Sequence, residues 1–222
     1  APGTGLLPMV KANAYGLGVE AVVRALEPLE PWGFGVAGVS EGVRLRELGV
    51  EGRIVVCSPA PYEDVAAAVE HRLQLSISSL RALQQLGATA RSAGTTAEYH
   101  IDIDTGIGRS GFDWRQASEW LSHSVAGVED ACCVGFYTHL HSADENETTV
   151  REQWVRFSEL GADRLASRVG GSSARGSRAE QRRCLPSSGD GPLGGSTRDL
   201  PVWGRSRTWS ASADAGGVGP CT

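Results

Sequence analysis

The sequence contains a single lysine, Lys11, within the segment "LLPMVKANAYGLG" (residues 6–18), whereas twenty of its 21 basic residues are arginine. Lysine differs from arginine because its primary amine can lose a proton and attack a carbonyl carbon to form a Schiff base. Pyridoxal phosphate is the obvious aldehyde partner, since its ring accepts the electron pair of an amino-acid carbanion. Tyr15 follows four residues later, within reach of the cofactor's phosphate. Residue type alone leaves open that Lys11 is an ordinary surface lysine.

Two further segments place reactive side chains after apolar runs. "HIDIDTGIGRSGF" (100–112) contains Arg109, and "GFYTHLHSADE" (135–145) contains His139 and His141. His141 follows His139 by one strand repeat, so both histidines are expected to point to the same face, because side chains alternate along a strand. An H-x-H pair of this kind also suits a metal ion, which makes a barrel metallohydrolase an alternative function. Its further ligands would be His100, Asp102 and Asp104.

Residues 6–160 alternate short β-type runs with amphipathic stretches, in six β/α units at a spacing of roughly 25 residues. The runs are "LLPMV", "WGFGVAGV", "RIVVCS", "LQLSI", "EYHIDID" and "CCVGFYTHL". Ser40 is the predicted N-cap of the helix after the second run. A doubly wound sheet and a (β/α)8 barrel both accept such a series, so periodicity leaves the α/β architecture open.

The segment "VKANAYGLG" resembles the lysine motif of alanine racemases, which are fold-type III pyridoxal phosphate enzymes. Their pattern is V-K-A-N-A-Y-G-H-G, and only Leu17 departs from it. A D-T-G-x-G-R segment and the segment "THLHSAD", which is similar to the family's T-H-F-x-x-A-D, follow in the family's order. The resemblance covers about residues 6–160 and implies a partial (β/α)8 TIM-type barrel of six units.

The resemblance also implies a role for each matching residue. Lys11 would bind the cofactor and act as one catalytic base, Tyr15 would contact the phosphate, and His139 would stack on the pyridine ring. Arg109 would bind the cofactor's phenolic oxygen and the substrate carboxylate. Asp102 stands at the position, two residues before the D-T-G aspartate, where many members carry a carbamylated lysine, and as an anion it would orient Arg109. No metal is implied.

The implied activity is interconversion of L- and D-alanine, for D-alanine supply to peptidoglycan, by a homodimer. Racemisation needs two bases, and in the family the second is a tyrosine of the partner's C-terminal domain. None of Tyr15, Tyr62, Tyr99 and Tyr137 matches that role. The chain, which begins with Ala1, is therefore expected to be incomplete. The alternative to turnover is a barrel fragment that only binds pyridoxal phosphate.

Charge and composition exclude some partners. Residues 1–160 carry 12 basic and 21 acidic residues, a balance of −9, which argues against nucleic acid. No apolar run reaches the eighteen residues of a membrane span, so no membrane partner is expected. Five cysteines form no CxxC pair. They favour a reducing, cytoplasmic setting with Cys57, Cys132 and Cys133 as buried apolar residues.

After residue 160 the pattern ends. Gly, Pro and Ser make up 26 of the 62 residues of 161–222, which predicts a disordered or non-native tail beside a barrel domain of residues 1–160. Codons that encode "GSTRDLPVW" (195–203), read one base forward, permit V-R-P-G-I-x-L-Y-G, a segment that alanine racemases carry. This segment predicts a reading-frame slip shortly after Leu160.

Overall fold

The computed structural model describes residues 5–126 and 128–160, together with the backbone of residues 202–203. Apart from that last pair, the predictions for the tail at 161–222 lie outside the described residues.

Seven helices of the described residues surround a parallel sheet. They are α1 (Lys11–Tyr15), α2 (Val19–Leu26), α3 (Val39–Glu47), α4 (Val65–Glu70), α5 (Leu80–Ser92), α6 (Ala117–Ala126) and α7 (Glu147–Glu159). Short 3-10 turns at Glu27–Leu29, Tyr62–Asp64 and Trp114–Gln116 complete the connections. None of the described helices has the length and apolarity that crossing a bilayer requires.

The strands of the sheet are β1 (Gly33–Val36), β2 (Arg53–Val56), β3 (Gln74–Ile77), β4 (Ala97–Asp104), β5 (Phe112–Asp113), β6 (Ala131–Tyr137) and β7 (Val202–Trp203). They follow one another across the sheet in chain order, β1-β2-β3-β4-β6-β7, and β5 pairs with β4. The run before β1 is represented by a parallel bridge between Met9 and Gly35. The predicted six β/α units of a partial barrel are confirmed.

Strand β4 shows how the two faces of the sheet differ. Tyr99 is buried and its hydroxyl donates to the Ser124 carbonyl of α6, so this face packs on the helices. His100 points to the opposite face, where its Nε2 lies 2.9 Å from Gln74 Oε1 of β3. Burial and the charge of Arg53 lower the pKa of His100 to about 4. The barrel interior thus contains a neutral, fully buried histidine.

The amino edge of the sheet is held by Arg46 of α3. Its guanidinium donates to the carbonyls of Val50, Gly52, His71 and Arg72 at 2.7–3.0 Å. These carbonyls belong to the loops that precede β2 and β3. One side chain therefore links two β/α units at the edge opposite Lys11.

The cysteines correct one expectation. Cys132 and Cys133 are buried as predicted, whereas Cys57, also predicted to be buried, is only half-buried because it lies just beyond the end of β2.

Candidate functional site

Lys11 lies at the carboxyl edge of the sheet, in a turn with unusual backbone geometry. Ala12, Asn13, Ala14 and Tyr15 have φ values of 50–55°, so helix α1 is left-handed along this stretch. A left-handed helix brings Cβ too close to the following carbonyl oxygen, which costs about 1–2 kcal/mol for each L-residue. Because no glycine lies between Lys11 and Tyr15 to relieve this cost, the surroundings must hold the turn in place.

Glu41, in the first turn of α3, supplies much of that support. Its Oε1 accepts the Ala12 N–H at 2.7 Å, and its Oε2 accepts the N–H groups of Ala37 at 2.8 Å and Gly38 at 3.4 Å. Gly38 is the N-cap of α3, so the prediction of Ser40 as N-cap is wrong. The glutamate side chain folds back over the helix start and performs the capping itself.

The far end of the turn is closed by Asn13 and two glycines. The side chain of Asn13 accepts the Val19 N–H at 2.8 Å at the start of α2. Gly16 and Gly18 have φ values of 86° and 90°, and a Cβ at either would meet nothing within 4 Å. Glycine is required here by backbone conformation rather than by space.

The turn presents Lys11 and Tyr15 side by side. The Lys11 side chain is half-buried, and its Nζ lies 5.9 Å from the centre of the Tyr15 ring. Tyr15 is 63% exposed. Both residues are therefore accessible from the carboxyl edge.

The loop after β4 brings Arg109 to the same edge. Its turn is formed by Gly106, Gly108 and Gly111, all at positive φ. Asp104 Oδ1 accepts the N–H groups of Gly106 at 2.9 Å and Gly108 at 3.1 Å. Arg109 is exposed, and within the described residues it forms no hydrogen bond or ion pair. Its guanidinium is free to meet a ligand.

Asp102 lies beneath this loop. Its Oδ2 accepts the Ser110 hydroxyl at 2.9 Å. Burial raises its pKa from 3.8 to about 6, although the Ser110 hydrogen bond and the charge of Arg109 both act to lower it. The carboxyl group is therefore ionised at neutral pH, and it acts on Arg109 through charge rather than through a direct hydrogen bond.

His139 follows β6 and is exposed at the same edge. Burial lowers its pKa, and so do the charges of Arg109 and Lys11. The structure thus brings Lys11, Arg109 and His139 into one electrostatic environment. The positive charges of Lys11 and Arg109 suit an anionic ligand.

The geometry does not form the alternative metal site. Strand β6 ends at Tyr137, so the alternation of side chains that was expected to align His139 with His141 does not extend to them. No group of three or more His, Cys, Asp or Glu side chains in the described part of the chain is placed to hold a metal ion.

Helix α7 holds the two loops that carry Arg109 and His139. Gln153 is fully buried; its Oε1 accepts the His141 N–H at 3.0 Å and its Nε2 donates to the His141 carbonyl at 3.2 Å. Arg156 Nη1 donates to the Thr105 carbonyl at 2.8 Å. Sequence reasoning missed Gln153, Arg156 and Glu41. The available signals were a polar residue beside the apolar stripe of α7, and a glutamate three residues into a helix that follows a strand.

Tyr137, the last residue of β6, crosses the barrel interior. Its hydroxyl donates to the Cys57 carbonyl at the end of β2, at 3.2 Å. Burial, followed by the charge of Asp102, raises the pKa of Tyr137. Tyr137 thus links β6 to the end of β2 across the interior.

Together these residues fit an aldehyde that carries negative charge. A primary amine, a free guanidinium and an imidazole face one edge, and Arg109 retains all its donors for oxygen atoms. Pyridoxal phosphate has both an aldehyde and anionic oxygens.

Known proteins are similar in sequence to this chain. The pattern of the family described as "Alanine racemase, N-terminal domain" matches residues 1–176. The chain belongs to this family. An alanine racemase of Limosilactobacillus fermentum is 33% identical over 167 residues, which are 72% of this chain and 43% of that protein. The family match extends past residue 160, where composition places the end of the first domain.

Solved alanine racemase structures share the fold. The enzyme of Streptomyces lavendulae superimposes with a TM-score of 0.68 at 31% identity, covering 76% of this chain and 44% of that one. The enzyme of Clostridium difficile 630 gives 0.70 at 26% identity, covering 75% and 44%. The chain therefore spans less than half the length of the alanine racemases it matches.

Proposed function

We propose that this chain is the cofactor-binding part of a pyridoxal phosphate-dependent alanine racemase. The single observation that carries the proposal is the placement of the lone lysine. Lys11 lies on a strained turn at the carboxyl edge, in the same electrostatic environment as Arg109 and His139. Family membership supports the assignment of alanine as substrate. The proposal extends to a homodimer in the cytoplasm that supplies D-alanine for peptidoglycan.

Each residue has a specific task in this proposal. Pyridoxal phosphate, when bound, withdraws the electron pair left at the α-carbon of the amino acid. Lys11 Nζ would hold the cofactor through its aldehyde and would move a proton on one face of the substrate. The ring of His139 would support the pyridine ring, and the Tyr15 hydroxyl would hold the phosphate. Arg109 would donate to the phenolic oxygen and to the substrate carboxylate, while Asp102 would keep its guanidinium oriented.

The opposite face needs a second base, and the chain's tyrosines are placed for other tasks. The hydroxyl of Tyr99 donates to the Ser124 carbonyl and that of Tyr137 to the Cys57 carbonyl. Tyr62 is 76% exposed, in the 3-10 turn before α4. These positions favour a second function for the 222-residue chain alone, which is cofactor binding without turnover.

Covalent trapping tests the assignment of Lys11. The chain is incubated with pyridoxal phosphate and reduced with borohydride, and the labelled peptide is identified by mass spectrometry. We expect the label on Lys11 and its loss in Lys11→Ala. The matched control is Lys11→Arg, which keeps the positive charge but forms no Schiff base. A label elsewhere, or one that persists in Lys11→Arg, contradicts the proposal.

A racemisation assay separates the two functions. The rate of D-alanine formation by this chain is compared with that of an intact alanine racemase. We expect a rate more than tenfold lower, because the second base is missing. A rate within tenfold, which corresponds to a loss of only about 1.4 kcal/mol of transition-state stabilisation, shows that the chain supplies both bases.

A further inference from the structure

We propose that Glu41 is a positioning residue for Lys11. Its carboxylate fixes the left-handed turn so that the Lys11 amine faces Arg109 and His139. This inference rests on the proposed role of Lys11 in binding pyridoxal phosphate. Glu41 itself touches neither cofactor nor substrate.

The hydrogen bond to Ala12 connects Glu41 to the lysine. Ala12 directly follows Lys11, so its N–H belongs to the peptide unit that joins the two residues. Glu41 Oε1 holds this N–H at 2.7 Å. Fixing that peptide plane fixes the direction in which the lysine leaves the backbone, because each peptide unit is rigid.

The second oxygen of Glu41 anchors the carboxylate in the next β/α unit. Oε2 accepts the N–H groups of Ala37 and Gly38, which come directly after β1. The carboxylate therefore bridges two neighbouring strand ends, the one that carries Lys11 and that of β1. Lys11 is held relative to the sheet and not only relative to its own turn.

Two helix starts converge on this one carboxylate. Ala12 N–H lies in the first turn of the left-handed stretch, and Gly38 is the N-cap of α3. The free N–H groups at a helix start carry partial positive charge, which favours an anionic acceptor. A glutamine has only one acceptor oxygen, so it satisfies one side of the bridge and leaves the other unpaired.

The inference is tested with Glu41→Gln in the full 222-residue chain, with Glu47→Gln as control. Glu47 lies on the same helix, and its carboxylate is half exposed and pairs with Arg44. The first measurement is the rate of borohydride-trapped labelling of Lys11 across a range of pyridoxal phosphate concentrations. The second is the hydrogen-exchange rate of the Ala12 amide by NMR.

We expect Glu41→Gln to lower the maximal labelling rate about tenfold while the half-saturating concentration changes less than threefold, because the covalent step depends on orientation more than encounter does. The Ala12 amide should exchange about tenfold faster, since a neutral amide oxygen that cannot serve both sides of the bridge holds this N–H more weakly than the carboxylate does. Glu47→Gln should change each quantity less than twofold. Thermal unfolding of both variants identifies a general loss of structure.

Three outcomes overturn the inference. They are an unchanged Ala12 exchange rate, an unchanged labelling rate at Lys11, and an equal effect of Glu47→Gln. If wild-type Lys11 takes no label at all, the proposed function fails, and Ala12 exchange in Glu41→Gln alone decides whether Glu41 holds the turn. The two failures are therefore distinguishable.

Discussion

The turn after the first strand and the loop after β4 both present a cation at the carboxyl edge, but their backbones are built differently. The Lys11 turn passes through the left-handed region with Ala12, Asn13, Ala14 and Tyr15. The Arg109 loop reaches positive φ with glycines. A carboxylate accepts backbone N–H groups in each case.

The origin of that carboxylate differs as well. Asp104 belongs to the same strand and loop that it stabilises. Glu41 comes from another β/α unit, 29 residues from Ala12. The N–H groups of the glycine loop thus find their carboxylate on the adjoining strand, although Arg156 of α7 also contacts the loop at the Thr105 carbonyl. The strained lysine turn takes its carboxylate from another unit. The two should therefore respond differently to an added or removed Cβ.

The largest effect is expected for Gly111→Ala. A Cβ there would lie 2.6 Å from Asp104 N and 3.0 Å from the Ile103 carbonyl carbon, at a φ of +110°. These are backbone atoms that cannot move aside, so we expect the free energy of unfolding to fall by about 3 kcal/mol or more.

The measurement is denaturant unfolding, with Gly108→Ala as the matched control. Gly108 also has positive φ (+70°), but a Cβ there meets nothing within 4 Å. Its substitution should cost only about 1 kcal/mol, from backbone conformation alone. Equal losses in the two variants would show that the close approach at Gly111 is relieved by the loop.

Asp102, which ties the glycine loop through Ser110, should make stability depend on pH. Its pKa is 3.8 in the reference state and about 6 in the folded protein, so the folded state binds this proton more tightly. The stabilisation that the protonated Asp102 gives to the folded state is present below about pH 4 and is lost as the pH rises through 6. The free energy of unfolding of Asp102→Asn relative to wild type should therefore rise between pH 4 and pH 6, and the gain should reach about 3 kcal/mol above pH 6.

Denaturant unfolding at several pH values checks this prediction. Ser110→Ala sharpens it, because the lost hydrogen bond normally lowers the Asp102 pKa. In Ser110→Ala, the pH at which the protein loses this stability should therefore lie above 6. A difference between wild type and Asp102→Asn that does not change from pH 4 to pH 7 would refute the link to Asp102.

The smallest effect is expected for Ala12→Gly. Glycine adopts the left-handed region without the Cβ penalty, but it also gives the unfolded chain more freedom. We expect unfolding free energy to rise by at most about 1 kcal/mol. Ala88→Gly, at an exposed position of the right-handed helix α5, should instead lower it by about 0.5–1 kcal/mol. Losses of the same sign and size in both variants would contradict strain at Ala12.

The sequence predicted the six β/α units because their causes are local. Strand runs and helical stripes lie within a few residues of what they determine. The left-handed turn was not predictable in this way, since Ala and Asn at 12–14 give no local signal for positive φ. Its cause is a contact with Glu41.

The end of β6 was missed for a similar reason. "YTHLH" continues the β pattern, but the backbone N–H and carbonyl of His141 form hydrogen bonds with the side chain of Gln153. Gln153 lies on α7, a helix that comes later in the chain. The roles of Lys11, Tyr15, Arg109, His139 and Asp102 remain predictions for the experiments above.

The strand order has a consequence for how the protein is made. Because each new strand adds beside the previous one, a chain leaving the ribosome can extend its sheet one unit at a time. The Ala12–Glu41 bond closes after 29 residues, whereas the bond between Tyr137 and Cys57 must wait for 80. The residues that hold the lysine turn are therefore all synthesised before the arginine and histidine that share its edge of the sheet.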